Sequence, residues 1–170
     1  MRTDYLLQRE LGHVLAALTP SNQLVVRVML RTGLRVGDVL SLRTEALADR
    51  MWVTESKTGK RRQIGLGRAL EADLRAQAGT EWVFPGWRDK SRPRTRQAVW
   101  ADVKRAAKAF RMPKNVGTHS VRKTYAVDLM EKYGDIERVR RAMCHDRHAT
   151  TLIYAMADKL TRAKSREGVR

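Results

Sequence analysis

Between Thr118 and Tyr154 the chain carries His119, Arg122, His145 and Tyr154, the two pairs separated by an apolar-periodic run. These residue types suit one kind of reaction. A guanidinium and imidazoles can grip a phosphate ester, and a phenol can attack one. Attack at phosphorus builds charge on the non-bridging oxygens, so positive groups must already be aimed at them. Arginine presents a planar fork to two phosphate oxygens, where lysine offers a point charge. A phenol ordinarily ionises near pH about 10, so a base or a strong positive field is required to activate it. Tyr125 and Tyr133 are competing phenols, but Tyr125 shares the apolar face of its helix and is expected in the core. Cys144, His145 and His148, with His119, could be read as zinc ligands. Adjacent residues on a helix point about 100° apart, and no paired-ligand spacing accompanies them, so no metal is expected.

The bulk composition points the same way. Lys and Arg number 35 against 18 Asp and Glu, a formal charge of +17, and such an excess most often faces a polyanion, nucleic acid first. With 42% hydrophobic residues the chain can bury a real core, so disorder is not expected. The single cysteine, Cys144, excludes an internal disulfide. No apolar run approaches the roughly 20 residues that span a bilayer, and the N-terminal residues lack a signal-peptide core. A cytoplasmic protein is the expectation.

The elements that must position these groups follow from periodicity. Leu7, Leu11, Val14 or Leu15, and Leu18 predict a first helix, broken at Thr19-Pro20-Ser21. Ser21 can cap a second through Leu24, Val25, Val28 and Met29, ending near Thr32-Gly33, and a short third runs from Val36 to Leu42. Met51-Trp52-Val53-Thr54 and Gln63-Ile64-Gly65-Leu66 read as strands about a turn at Lys57-Thr58-Gly59-Lys60. A helix is expected at Arg68 to Gln77, a brief extended piece at Trp82 to Gly86, and a basic loop from Trp87 to Arg96. Val99 to Phe110, His119 to Lys132, and Gly134-Asp135 to Met143 complete the helical pattern, with a further one at Thr150 to Ala157. The fold class is mainly α with a small antiparallel β-hairpin.

Four blocks in this order resemble the catalytic domain of the tyrosine recombinases, the phage integrase family. Thr32-Gly33-Leu34-Arg35-Val36-Gly37-Asp38-Val39-Leu40-Ser41-Leu42 is similar to the family's first-arginine box. Ser56-Lys57-Thr58-Gly59 is similar to the hairpin that presents a lysine, and His119-Ser120-Val121-Arg122 to the His-x-x-Arg motif. His145 followed by Thr150-Thr151-Leu152-Ile153-Tyr154 is similar to the nucleophile block. The resemblance implies Tyr154 as nucleophile, forming a 3′-phosphotyrosyl link, and Arg35 and Arg122 on the phosphate. It implies Lys57 as general acid for the 5′-oxygen, with His119 and His145 assisting. Lys60 is a rival for the lysine role, disfavoured by its setting. Neither metal nor nucleotide cofactor is then needed. The family usually has Gly before the second histidine, where this chain has Cys144. A small residue there is expected to allow close helix packing, and cysteine to be tolerated.

The expected partner is double-stranded DNA, bound by a homo-oligomer, a tetramer in the family. Arg92, Arg94, Arg96 and Gln97, at the basic loop and the helix after it, are candidates for groove contact. There arginine can read guanine and glutamine adenine, or the loop can bind phosphate unspecifically. Arg43, Arg61, Arg62 and Lys123 are candidates for backbone contact. Residues 1–158 are expected to form one catalytic domain, with a basic tail at 159–170 that could reach a neighbouring protomer or bind phosphate. Only about 30 residues precede the first-arginine box, so the family's N-terminal core-binding domain is not expected, and the chain is either a catalytic fragment or a minimal recombinase. A site-specific recombinase is the leading reading. Strand relaxation by type IB topoisomerase chemistry is a close relative, and a helix-turn-helix regulator is the rival of another class.

Overall fold

The computed structural model describes residues 4–144, so His145, His148, Tyr154, the expected helix at Thr150 to Ala157 and the basic tail lie outside the described residues. Helices α1 (Gln8–Ala17), α2 (Pro20–Thr32) and α3 (Val36–Leu40) precede a hairpin of β1 (Arg50–Thr54) and β2 (Arg61–Gly65). Then follow α4 (Arg68–Gln77), α5 (Arg96–Ala109), α6 (Thr118–Tyr133) and α7 (Ile136–Ala142). Mainly helical, with one small antiparallel sheet, is the architecture observed. Among the described residues no helix is long and apolar enough to cross a membrane.

Helix α2 is the axis of the core. Val25, Val26, Val28 and Met29 are all buried, so it is apolar on more than one side and can take neighbours all round. It packs against α1, α3, α4, α5 and α6. Its start differs from the expectation. Thr19 is the N-cap and Pro20 the first helical residue, ahead of Ser21. Proline is favoured there because the N–H it lacks would have no partner in the helix. The Thr19 hydroxyl and amide instead donate to Asp102 on α5, at 2.9 and 3.0 Å, and the Asn22 amide does so at 2.8 Å. At the other end Gly33 closes α2 in the left-handed conformation, φ 68°. A Cβ on Gly33 would lie 2.2 Å from Cε1 of Tyr125, so α6 approaches α2 where only glycine fits.

The hairpin pairs Arg50 with Gly65 through Thr54 with Arg61. Strand alternation turns Met51 and Val53 inward, and the same period carries Glu55 inward beyond the strand end. A smaller apolar cluster of Ala126, Val139 and Met143 seats α7 on α6.

Candidate active site

Arg35 is the residue from which α3 starts. The first turn of that short helix also holds Asp38, buried, whose Oδ1 accepts from the Ser56 amide at 2.9 Å and the Ser56 hydroxyl at 2.6 Å. Ser56 precedes Lys57, so the first-arginine box and the lysine hairpin are joined directly. The hairpin loop closes on itself: the Glu55 amide donates to the Lys60 carbonyl at 2.9 Å, and the Gly59 amide to the Glu55 carbonyl at 2.8 Å. Lys57 is exposed on that loop.

Helix α6 supplies His119 and Arg122 from its first turns. Arg122 is buried, and its two terminal nitrogens donate to the carbonyls of Gly33 and Met143. Arg62 makes a parallel pair of bonds, to the Thr32 carbonyl at 2.9 Å and the Ala142 carbonyl at 2.8 Å. Carbonyls at a helix C-terminus have no partner within the helix and carry the negative end of its dipole. Two guanidiniums therefore bridge the C-termini of α2 and α7. Arg35 donates to the carboxylate of Glu55, whose other oxygen lies 3.2 Å from Nε of Arg62.

The electrostatics record how close these groups lie. Burial, then the charge of Arg35, lowers the Arg122 guanidinium to about 10. His119 keeps part of its ring at the surface. Burial of the rest lowers its pKa below the ordinary value, and so do the charges of Arg122, Lys123, Arg35 and Lys57. Groups from α3, the hairpin and α6 thus converge on one imidazole. A neutral imidazole in a cluster of cations can accept a proton, and the cations can hold an anion. Tyr125 is not a competitor as nucleophile: it packs on Gly33, and burial raises its phenol pKa.

Glu55 and the inward turn of Arg62 went unforeseen. Arg62, a candidate for DNA-backbone contact, instead turns its guanidinium to the helix ends and lies beside Glu55. The signal for Glu55 was available in the period-two pattern Met51, Val53, Glu55. Cys144, expected to permit close packing, has φ 47°, so its backbone conformation, left-handed, is a reason for glycine in the family's pattern. Burial, then the charge of Glu55, raises its thiol pKa.

The other candidate DNA contacts divide. Arg61, Arg92, Arg96 and Gln97 are exposed, Arg61 lying over the Trp52 ring at 5.0 Å. Arg96 opens α5 beside α3, since a Cβ on Gly37 would come within 3.4 Å of its Cδ. Lys123 is half-buried beside His119. Arg94 is half-buried and donates to Asn22 at 2.8 Å, anchoring the base of the basic loop. Arg43 pairs with Glu81 and stacks on Trp82 at 3.7 Å.

Comparison with known proteins places this arrangement. The model of the phage integrase family matches residues 5–160. The integrase of Escherichia phage P2 is 31% identical over 156 residues, covering 90% of this chain and 43% of the relative. The tyrosine recombinase XerD of Listeria monocytogenes is 28% identical over 153 residues, 82% of this chain and 51% of XerD. The chain thus spans about half the length of these curated relatives. Among solved structures, XerA recombinase superposes with a TM-score of 0.75 at 21% identity, covering 95% of this chain and 63% of that one. A lambda integrase tetramer bound to a Holliday junction gives 0.73 at 20%, covering 91% and 48%. These likenesses show the fold of the tyrosine recombinase catalytic domain, and the family match shows the kinship: the chain belongs to the phage integrase family.

Proposed function

We propose that this chain cleaves and rejoins double-stranded DNA at specific sites through a covalent 3′-phosphotyrosine on Tyr154. The observation that carries the reading is that bonds bring the segments bearing Arg35, Lys57, His119 and Arg122 together from separate stretches of sequence: Ser56 donates to Asp38, Arg35 to Glu55, and Arg122 to the Gly33 carbonyl. Arg35 and Arg122 bind the non-bridging oxygens of the scissile phosphate and offset the charge that grows on them. His119, held neutral, takes part in moving the Tyr154 proton, and His145 assists. Lys57 protonates the departing 5′-oxygen. The bond energy stays in the phosphotyrosine, and the reverse attack by a 5′-hydroxyl reseals a strand. The arginines and lysine supply the positive charge, so the reaction requires no metal or nucleotide. The protein works as a homo-oligomer on DNA, a tetramer at the junction of two duplexes. The kinship with integrases and the match running through residue 160, past both His145 and Tyr154, support this assignment.

The test is covalent trapping. The protein and Tyr154→Phe are incubated without metal with a library of nicked duplexes randomised around the nick, then denatured. An adduct with the parent protein that is absent in the variant is the expected outcome. Tight, salt-sensitive binding with no adduct from either would turn the assignment toward a non-catalytic DNA-binding protein.

A further inference from the structure

Glu55 has no exposed side-chain surface, yet it is a carboxylate. Burying an unpaired charge is costly, and pairing it seldom repays more than an apolar side chain of the same size would. Stability of the hairpin therefore gives little reason for a glutamate here. Its surroundings give a better one. Arg35 donates to one carboxylate oxygen, and Arg62 sits 3.2 Å from the other. Arg122 is near enough for the Glu55 charge to oppose the depression of its pKa. Three guanidiniums share this corner of the fold. Two of them are tied to helix carbonyls, whereas the bond found for Arg35 among the described residues is to Glu55. The backbone of Glu55 is itself fixed by the loop bonds to Lys60, Gly59 and Thr58. Its carboxylate is thus a rigid reference point on the same loop as Lys57.

We propose that Glu55 is a positioning residue for strand cleavage: its carboxylate takes one edge of Arg35 and sets the angle at which the remaining N–H groups meet the scissile phosphate. This rests on the reading of Arg35 as a phosphate-binding group. Without the carboxylate, repulsion from Arg62 and Arg122 turns the long Arg35 side chain toward solvent, and the fork no longer faces the phosphate.

The experiment is single-turnover cleavage of the nicked-duplex library by the parent protein, Glu55→Gln, Arg35→Ala and the double variant. Glu55→Gln is expected to bind duplex within about threefold of the parent and to cleave about 100-fold more slowly, the loss typical of a 1 Å misplacement. In the Arg35→Ala background Glu55→Gln should add no further loss, because it acts through that side chain. A parent-like rate for Glu55→Gln, or an equal further loss in the double variant, would overturn the proposal. If melting shows Glu55→Gln unfolded, Glu55→Asp answers the same question. A tenfold or greater loss supports positioning, and any smaller effect sinks it. An inactive parent protein would overturn the recombinase reading itself, and this inference with it.

Discussion

His119 is the residue whose titration reports on the whole cation cluster. Its folded pKa lies below the ordinary 6.5, through burial first and then the charges of Arg122, Lys123, Arg35 and Lys57. The native state therefore binds a proton less readily than the unfolded chain. Stability linked to this group is fully present above about pH 6.5 and is lost as pH falls through the folded pKa. Denaturation midpoints measured across that window should fall with pH for the parent protein, and less so for His119→Gln. A phosphate resting on the same cations opposes their field. Adding a duplex oligonucleotide should therefore raise the His119 midpoint read from its ring proton resonances. A midpoint unmoved by DNA would mean that the anion sits elsewhere.

The elements are joined by positions with little freedom to change, and glycines make this measurable. Gly33 and Gly134 both end helices with positive φ, 68° and 64°. A side chain at Gly33 meets the Tyr125 ring, while one at Gly134 meets nothing within 4 Å. Gly134→Ala should cost about 1 kcal/mol, the backbone penalty alone. Gly33→Ala should cost about 2–4 kcal/mol, because overpacking is added. Urea denaturation of the two variants reads the difference directly. Much at this scale was legible beforehand. The helix that periodicity predicts at Arg68 to Gln77 has those bounds, and the hairpin strands and the helix bearing His119 and Arg122 lie within a residue or two of expectation. Periodicity and cap chemistry are local signals and carry that far. Bonds between residues distant in sequence do not announce themselves locally: Asn22 to Asp102 spans 80 positions, and Arg122 to Gly33 spans 89. Charged side chains default to solvent, so nothing in the neighbourhood of Arg62 or Arg94 foretold their inward turn.

For the molecule as a whole, a +17 charge predicts that the proposed binding to DNA weakens as salt rises. Each phosphate neutralised contributes roughly 0.9 to the slope of log K against log salt. Arg92→Ala with Arg96→Ala should flatten that slope by about 2, since both guanidiniums are exposed. Arg94→Ala should leave the slope nearly unchanged and lower the melting temperature instead, because Arg94 is spent on Asn22. Fluorescence anisotropy over a salt series separates the two kinds of arginine. The bridging pair, Arg62 and Arg122, belongs to neither kind. Each guanidinium holds the last carbonyls of α2 and α7 together, and the chain leaves α7 at Cys144 toward His145 and Tyr154. Arg62 gives its guanidinium to that joint, whereas Arg122 is also the group proposed to hold the phosphate. On the proposed reading, a phosphate drawing on Arg122 competes with the carbonyls of Gly33 and Met143, so that holding an anion and clamping two helix ends draw on one and the same guanidinium.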